Sequence, residues 1–334
     1  MNYTHYVGID ISKLTIDVVL FSGEDHSNYQ HQVFSNDYTG FDKMEKWIRS
    51  LTNTALEKIL FCCEHTGLYA LPICRWMVAK DAKLWVENAL QIKRSIGLKR
   101  GKSDKADAYA IADYGFSKQY QARLYKQPDA NITQLKHLLT QREHLVRHQA
   151  SFKNSISEFK GFDEQNAAFC IEQNKELIKY YTQKIKDVDE QLAAIVMKDS
   201  DLKKKFDLVC SVHGIGKQTA LFILIHTKAF TEFDDYRKFA CYCGIAPFPY
   251  GSGTSIRGRD RISNLANKKI KTLLTMCCLN VLKGENEFQN YYRRKKAEGK
   301  SFLSILNAIK NKLISRIFAV IRKGVPYQME LNPA

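Results

Sequence analysis

The hydrophobic pattern of the first third of the chain changes period several times. Residues 6–12 (YVGIDIS) and 14–22 (LTIDVVLFS) are apolar, β-branched runs that predict a β-hairpin, and NYQHQVFSN predicts a third strand. Phe41, Met44, Trp47 and Leu51 then recur at helical spacing after Thr39-Gly40. KILFCCE reads as a buried strand, LYALPICRWMVAK as a helix and AKLWVEN as another strand. Helical sequence follows from Ala89 to about Tyr120, interrupted at Gly97 and Gly101. Strands in a meander, followed by strands alternating with helices, predict an α/β domain over residues 1–125.

The middle of the chain reads differently. From Ile132 to Lys205 proline is absent and Gly161 stands alone, while Leu135, Leu138, Leu139 and Leu145, then Ile178, Tyr181, Ile185, Val188, Leu192 and Ile195, recur at steps of three and four. Two long helices reversing near Gly161-Phe162-Asp163 are expected, forming an antiparallel coiled-coil arm over residues 126–205, although the same spacing also fits a segment of an ordinary helical bundle. Residues 206–334 predict a third, mainly helical domain. Within it VCSVHGIGKQTALFILI sets Gly214 and Gly216, followed by Lys217, between two helical segments. This fits a helix-hairpin-helix element, whose glycines let backbone N–H groups approach a phosphate, and equally a plain structural turn. DDYRKFACYCGIAP leads into a glycine-rich loop, GSGTSIRGRD. Helices are expected from about Asn264 to Lys283 and from Phe302 to Arg322.

Composition adds a partner. The 334 residues carry a net charge of +16, and from Gly251 onward 17 Lys+Arg stand against 5 Asp+Glu, so +12 of that excess lies in the last quarter. A second basic cluster comprises Lys93, Arg94, Lys99, Arg100, Lys102 and Lys105. Such an imbalance predicts a polyanionic partner, nucleic acid first of all. With 45% hydrophobic residues the chain can bury proper cores, which excludes a disordered tail. No apolar run approaches the roughly 20 residues of a membrane span, so no membrane partner is expected. The nine cysteines show no framework spacing and no export signal opens the chain, so reduced, mostly buried thiols in a cytoplasmic protein are expected. Cys241 and Cys243 lack the partnering pair of a zinc site.

Two sets of residues suggest chemistry. Asp10 and Glu64 end strand patterns, while Asp104 and Asp107, three residues apart, share one helix face. Strand ends and a helix face meeting at one sheet edge would gather four carboxylates, a hard-oxygen donor set suited to Mg²⁺ or Mn²⁺. Asp17, Asp37 and Asp113 are nearby acids with no evident role. In the GSGTSIRGRD loop, Ser252, Thr254 and Ser255 each offer a hydroxyl beside Arg257, Arg259 and Arg261, which can bind phosphate, as can Lys268, Lys269 and Lys271 just beyond.

The series GID, CCEHTG and SDKADA, followed far downstream by GIAP and SGTSIRG, resembles the DEDD-type transposases of the insertion sequence 110 family, to which the pilin-gene inverting recombinases are related. The likeness spans nearly the whole chain. It implies a RuvC-like (RNase H-like) N-terminal domain, a coiled-coil insertion and a C-terminal transposase domain. Asp10, Glu64, Asp104 and Asp107 match the family's four metal-binding acids, and among the three hydroxyls Ser252 matches its nucleophile. The resemblance further implies donor and target DNA as substrates, a structured bridge RNA as guide, and a dimer or tetramer working in the cytoplasm at the nucleoid. Lys99, Arg100, Lys102, Gly214, Gly216, Lys217 and the downstream arginines and lysines would then contact nucleic acid. The competing expectation is a RuvC-like nuclease that uses water in place of the serine; a DNA-binding protein with a degenerate acidic site is disfavoured because all four acids are present.

Overall fold

The computed structural model describes residues 3–95, 97, 103–252, 256–262 and 265–328; for residues 249–252, 256, 257 and 259–261 it describes the backbone alone. The chain divides into two compact units, Met1–Gln127 and Pro128–Ala334.

The first unit is built on a five-stranded mixed sheet ordered β3-β2-β1-β4-β5. Strands β1 (His5–Ile11), β2 (Thr15–Ser22) and β3 (Asp25–Ser35) form an antiparallel meander, and β4 (Ile59–Glu64) and β5 (Lys83–Glu87) add in parallel beyond β1. The parallel pairings need crossovers, and the helices α1 (Tyr38–Leu51) and α2 (Leu71–Ala79) supply them. Both cover the same sheet face, where Phe41, Met44, Ile48, Ile73 and Met77 pack on Val7, Ile9, Val18 and Phe61. The opposite face receives α3 (Ala89–Ser95) and α4 (Asp104–Ser117), with Ile92, Ala108, Ile111 and Ala112 against Tyr6, Val19, Leu60 and Cys62. Burial on both faces explains why β1, β2 and β4 read as nearly continuous apolar runs. The expected α/β character of this region is what the sheet and its helices provide.

The second unit is helical with one small hairpin. Helices α5 (Ala130–Phe162) and α6 (Ala168–Lys198) lie antiparallel, joined side by side by a two-pronged bond from Arg142 to Asp189 (2.7 and 3.2 Å) and by Gln149 to Thr182 (2.7 Å). Their proximal residues Ile132, Leu135, Leu139, Leu192 and Val196 share one core with the C-terminal helices. Toward the reversal the pair is exposed, Phe162 by 92% and Phe169 by 76%. Then follow α7 (Ser200–Ser211), α8 (Lys217–His226), α9 (Tyr236–Tyr242), the hairpin β6 (Pro247–Ser252) and β7 (Ile256–Ile262), α10 (Lys268–Val281), α11 (Glu287–Ala297) and α12 (Phe302–Lys323). Two departures from the sequence expectation stand out. The segment expected as a flexible glycine-rich loop is an antiparallel hairpin, with Ser252 paired to Ile256 at its end. Helix α11 was not anticipated at all. Eight of the nine cysteines are buried or half-buried, all nine are free thiols, and among the described residues no helix is long and apolar enough to cross a membrane.

Candidate active site

Strand alternation decides which acids can meet. Tyr6, Gly8 and Asp10 project from one face of β1, as do Leu60, Cys62 and Glu64 from β4, and this is the face α4 covers. The last parallel pair between the strands is Ile9 with Cys63, so Asp10 and Glu64 stand one step beyond it at neighbouring carboxyl ends. Helix α4 begins just there. The Ser103 hydroxyl caps it by accepting the Ala106 N–H (3.3 Å), and Asp104 and Asp107 occupy its first turn, where the helix dipole favours negative charge.

Gly8 is what lets the helix come close enough. A Cβ at this position would lie 2.1 Å from the Ala108 carbonyl oxygen and 2.3 Å from the Ala112 nitrogen, both backbone atoms. No larger residue can sit beneath α4 without lifting it from β1.

Carboxylate oxygens of Asp10, Asp104 and Asp107 accordingly lie within 4.8 Å of one another, with Asp104 exposed and the other two half-buried. Burial first, and then the charges of Asp107, Asp104, Glu64 and Asp17, push the Asp10 carboxyl up to about 6. Glu64 is not one of the close trio, but its charge reaches Asp10. Three carboxylates with no nitrogen or sulfur donor among them form a hard-oxygen set whose mutual repulsion a divalent cation would relieve, so the residues present fit such an ion.

Three further residues shape the site, though the sequence reading gave none of them a role. Gly8 is one. Asp17 pairs directly with Asp10 across β1 and β2 and accepts from His31 Nε2 at 2.8 Å. Only the register of the hairpin, which neither strand shows by itself, brings the two aspartates opposite each other. Glu87 ends β5 as Glu64 ends β4, and the two are paired in register. It accepts from the Asn88 N–H (2.7 Å) and the Tyr114 hydroxyl (3.3 Å), and burial together with that carboxylate pushes the tyrosine up to about 12.

In the second unit, Gly214 and Gly216 lie between α7 and α8. Gly214 has a φ of +84°, and a Cβ there would stand 2.2 Å from Val281 Cγ1, so this turn admits only glycine. Gly216 faces open space, and Lys217 is the first residue of α8. Lys268, Lys269 and Lys271 crowd the first turn of α10, the end at which the helix dipole disfavours cations. One of them, Lys269, approaches Glu143 at 3.4 Å. Lys99, Arg100, Lys102, Thr254 and Ser255 lie outside the described residues, as do the side chains of Ser252, Arg257, Arg259 and Arg261.

Comparison with known proteins defines the class. A DEDD-type IS110 transposase model matches residues 7–159, the stretch that holds all four acids, and the model of the transposase IS116/IS110/IS902 family matches residues 206–293, which include the hairpin. The chain therefore belongs to the IS110 family of transposases, enzymes that act on DNA. Among its relatives are the pilin gene-inverting proteins of Moraxella bovis and Moraxella lacunata, each 28% identical over 332 residues and covering 98% of both chains. The insertion element IS110 protein of 43.6 kDa from Streptomyces coelicolor is 28% identical over 124 residues, 37% of this chain and 30% of its own.

Proposed function

We propose that this protein cuts and rejoins DNA strands through a covalent serine–DNA intermediate, using Asp10, Glu64, Asp104 and Asp107 as a divalent-metal site. The observation that carries this reading is the convergence of Asp10, Asp104 and Asp107 within 4.8 Å at one sheet edge in a transposase of this family. Mg²⁺ or Mn²⁺ held there supplies Lewis-acid stabilisation of charge on a reacting phosphate. The Ser252 hydroxyl attacks phosphorus, the bond to the leaving nucleoside oxygen breaks, and the serine proton passes to that oxygen. The phosphodiester is conserved as a seryl ester until a DNA hydroxyl attacks it and releases the serine. Arg257, Arg259 and Arg261, on the strand that pairs with the serine's own, offset the charge of the pentavalent transition state.

The sheet order, an antiparallel meander continued by two parallel strands, supports a RuvC-like first unit, and the pairing of α5 with α6 supports a coiled-coil arm. Lys99, Arg100, Lys102, Gly214, Gly216, Lys217, Lys268, Lys269 and Lys271 bind donor and target DNA and a structured bridge RNA. Lys268 and Lys271 favour this assignment because their position at the start of α10 opposes the helix dipole. The sequence of the target would then be read by base pairing with the guide and not by side chains.

The test is covalent capture. Labelled DNA carrying the element's ends, incubated with the protein, its guide RNA and Mg²⁺, is expected to yield an adduct that survives denaturation, with the phosphopeptide mapping to Ser252. Ser252→Ala should abolish the adduct and strand exchange together. Strand scission that persists in Ser252→Ala without any adduct would establish the water-using nuclease instead.

A further inference from the structure

Helix α11 ends in Arg293-Arg294-Lys295-Lys296, Lys300 follows it, and Lys312 reaches toward it from α12. The fold does not call for this concentration of charge. Phe288 is the one buried side chain of the helix, and a cation in a last turn contributes only about 0.3–1 kcal/mol through the dipole, an effect confined to that turn. Carboxylates account for two of the cations: Lys295 pairs with Glu298 at 2.6 Å, and Arg293 approaches Glu285 at 3.9 Å. Among the described residues no carboxylate lies within 4.0 Å of Arg294, Lys296, Lys300 or Lys312.

Arg294, Lys296 and Lys312 stand over aromatic rings, as does Lys295. Arg294, Lys295 and Lys312 stand 5.6, 6.0 and 4.7 Å from the centre of the Tyr291 ring, and Lys296 stands 5.9 Å from that of Tyr292. The rings fix long, flexible side chains and add no negative charge of their own, so little further ordering is needed when an anion arrives. With their faces engaged by cations, they are not free platforms for stacking bases, as binding of a single strand would require. The eleven residues of α11 span about 16 Å of stiff helix. Arg294, Lys295 and Lys312 gather around the one Tyr291 ring at the end of this helix, a compact group of preset cations that suits the closely spaced phosphates of a nucleic-acid backbone.

We infer that the basic face of α11, completed by Lys312, docks the sugar–phosphate backbone of a DNA duplex and forms an anchoring surface separate from the hairpin arginines. The inference rests on the family's action on DNA and not on the serine chemistry proposed above. The experiment measures fluorescence anisotropy of a labelled duplex DNA, the corresponding single strand and an RNA duplex of the same sequence, over a range of salt and in chelator so that no cleavage occurs. In the triple variant Arg294→Gln/Lys296→Gln/Lys312→Gln, the slope of log affinity against log salt for duplex DNA should become less steep by about 2.7, close to 0.9 for each lost contact. Circular dichroism checks that the variant folds. Arg294→Gln alone, at an exposed position, should lower the slope by about 0.9 and Arg294→Lys should leave it unchanged. Lys179→Gln, at an exposed position of α6, should bind as the wild type does, which separates this surface from the general charge of the chain. An unchanged duplex slope would overturn the proposal, as would a loss confined to the single strand or to the RNA duplex.

Discussion

Asp10 sits among four other acids, and its titration offers a direct measurement of their field. Its carboxyl is raised from 3.8 to about 6 because burial and four surrounding acids penalise the charged form. A raised carboxyl binds its proton more tightly in the folded chain than in the unfolded one, so its contribution favours folding at low pH. That contribution declines as pH rises from about 4 to about 6 and is gone above that. In chelator, Asp10→Asn should therefore melt at a higher temperature than the wild type at pH 7, with the gap closing below pH 4. Adding Mg²⁺ or Mn²⁺ at pH 7.5 should raise the wild-type midpoint, by the equivalent of about 2.7 kcal/mol at a hundred times the dissociation constant, and raise that of the variant much less. Melting curves of the two proteins that run parallel through this range, with and without the ion, would leave the acid cluster without a cation. At this scale the sequence was informative where an acid closed a strand or began a helix, as Asp10, Glu64 and Asp104 do. Asp17 was opaque because an aspartate within a strand looks like any solvent-facing residue until the register sets it opposite Asp10.

The element that assembles the site is α4, and its distance from β1 is set by the absence of a side chain at Gly8. Gly8→Ala places a methyl carbon within 2.1–2.3 Å of two backbone atoms of the helix, which cannot move aside as a flexible side chain would. Overpacking of this kind costs about 1–3 kcal/mol or more, which urea unfolding would report as a lower midpoint at unchanged slope. Because the displaced helix carries Asp104 and Asp107, cleavage should fall further than stability does, even at a temperature where the variant remains folded. Retention of full cleavage would mean the acids on α4 need no fixed distance from Asp10. Most of the architecture was legible from period alone: β1 to β5, α1, α2 and the reversal between α5 and α6 fall where the pattern places them. The hairpin was not, because Gly251, Gly253 and Gly258 interrupt the alternation that marks a strand, and the cross-strand pairing that stabilises it is invisible in one segment. Helix α11 escaped for the complementary reason, since EFQNYYRRKKA has a single buried residue and so no apolar stripe.

Across the whole molecule the acids and the serine belong to different compact units, Met1–Gln127 and Pro128–Ala334, and the acids fall in the family match over residues 7–159 while the serine falls in that over 206–293. Exchange of DNA strands requires several cuts made together, so a dimer or tetramer is the expected working form. The exposed Phe162 and Phe169 near the reversal of the α5–α6 pair offer apolar surface for a contact between copies. Because the serine and the acids lie in different compact units, we predict a composite site, with Ser252 of one protomer working beside the acids of its partner. Mixing equal amounts of Ser252→Ala and Asp10→Asn proteins tests it. Neither variant alone has an intact site in either arrangement. In a randomly mixed dimer population about half the dimers are hybrids, each with one site that joins an intact serine to intact acids, so about a quarter of all sites are restored. Adduct formation should recover to about that fraction of the wild-type amount, while full strand exchange recovers less because it needs more than one site. Hybrid assemblies that form, as shown by differential tags, yet give no adduct would establish that serine and acids meet within a single chain.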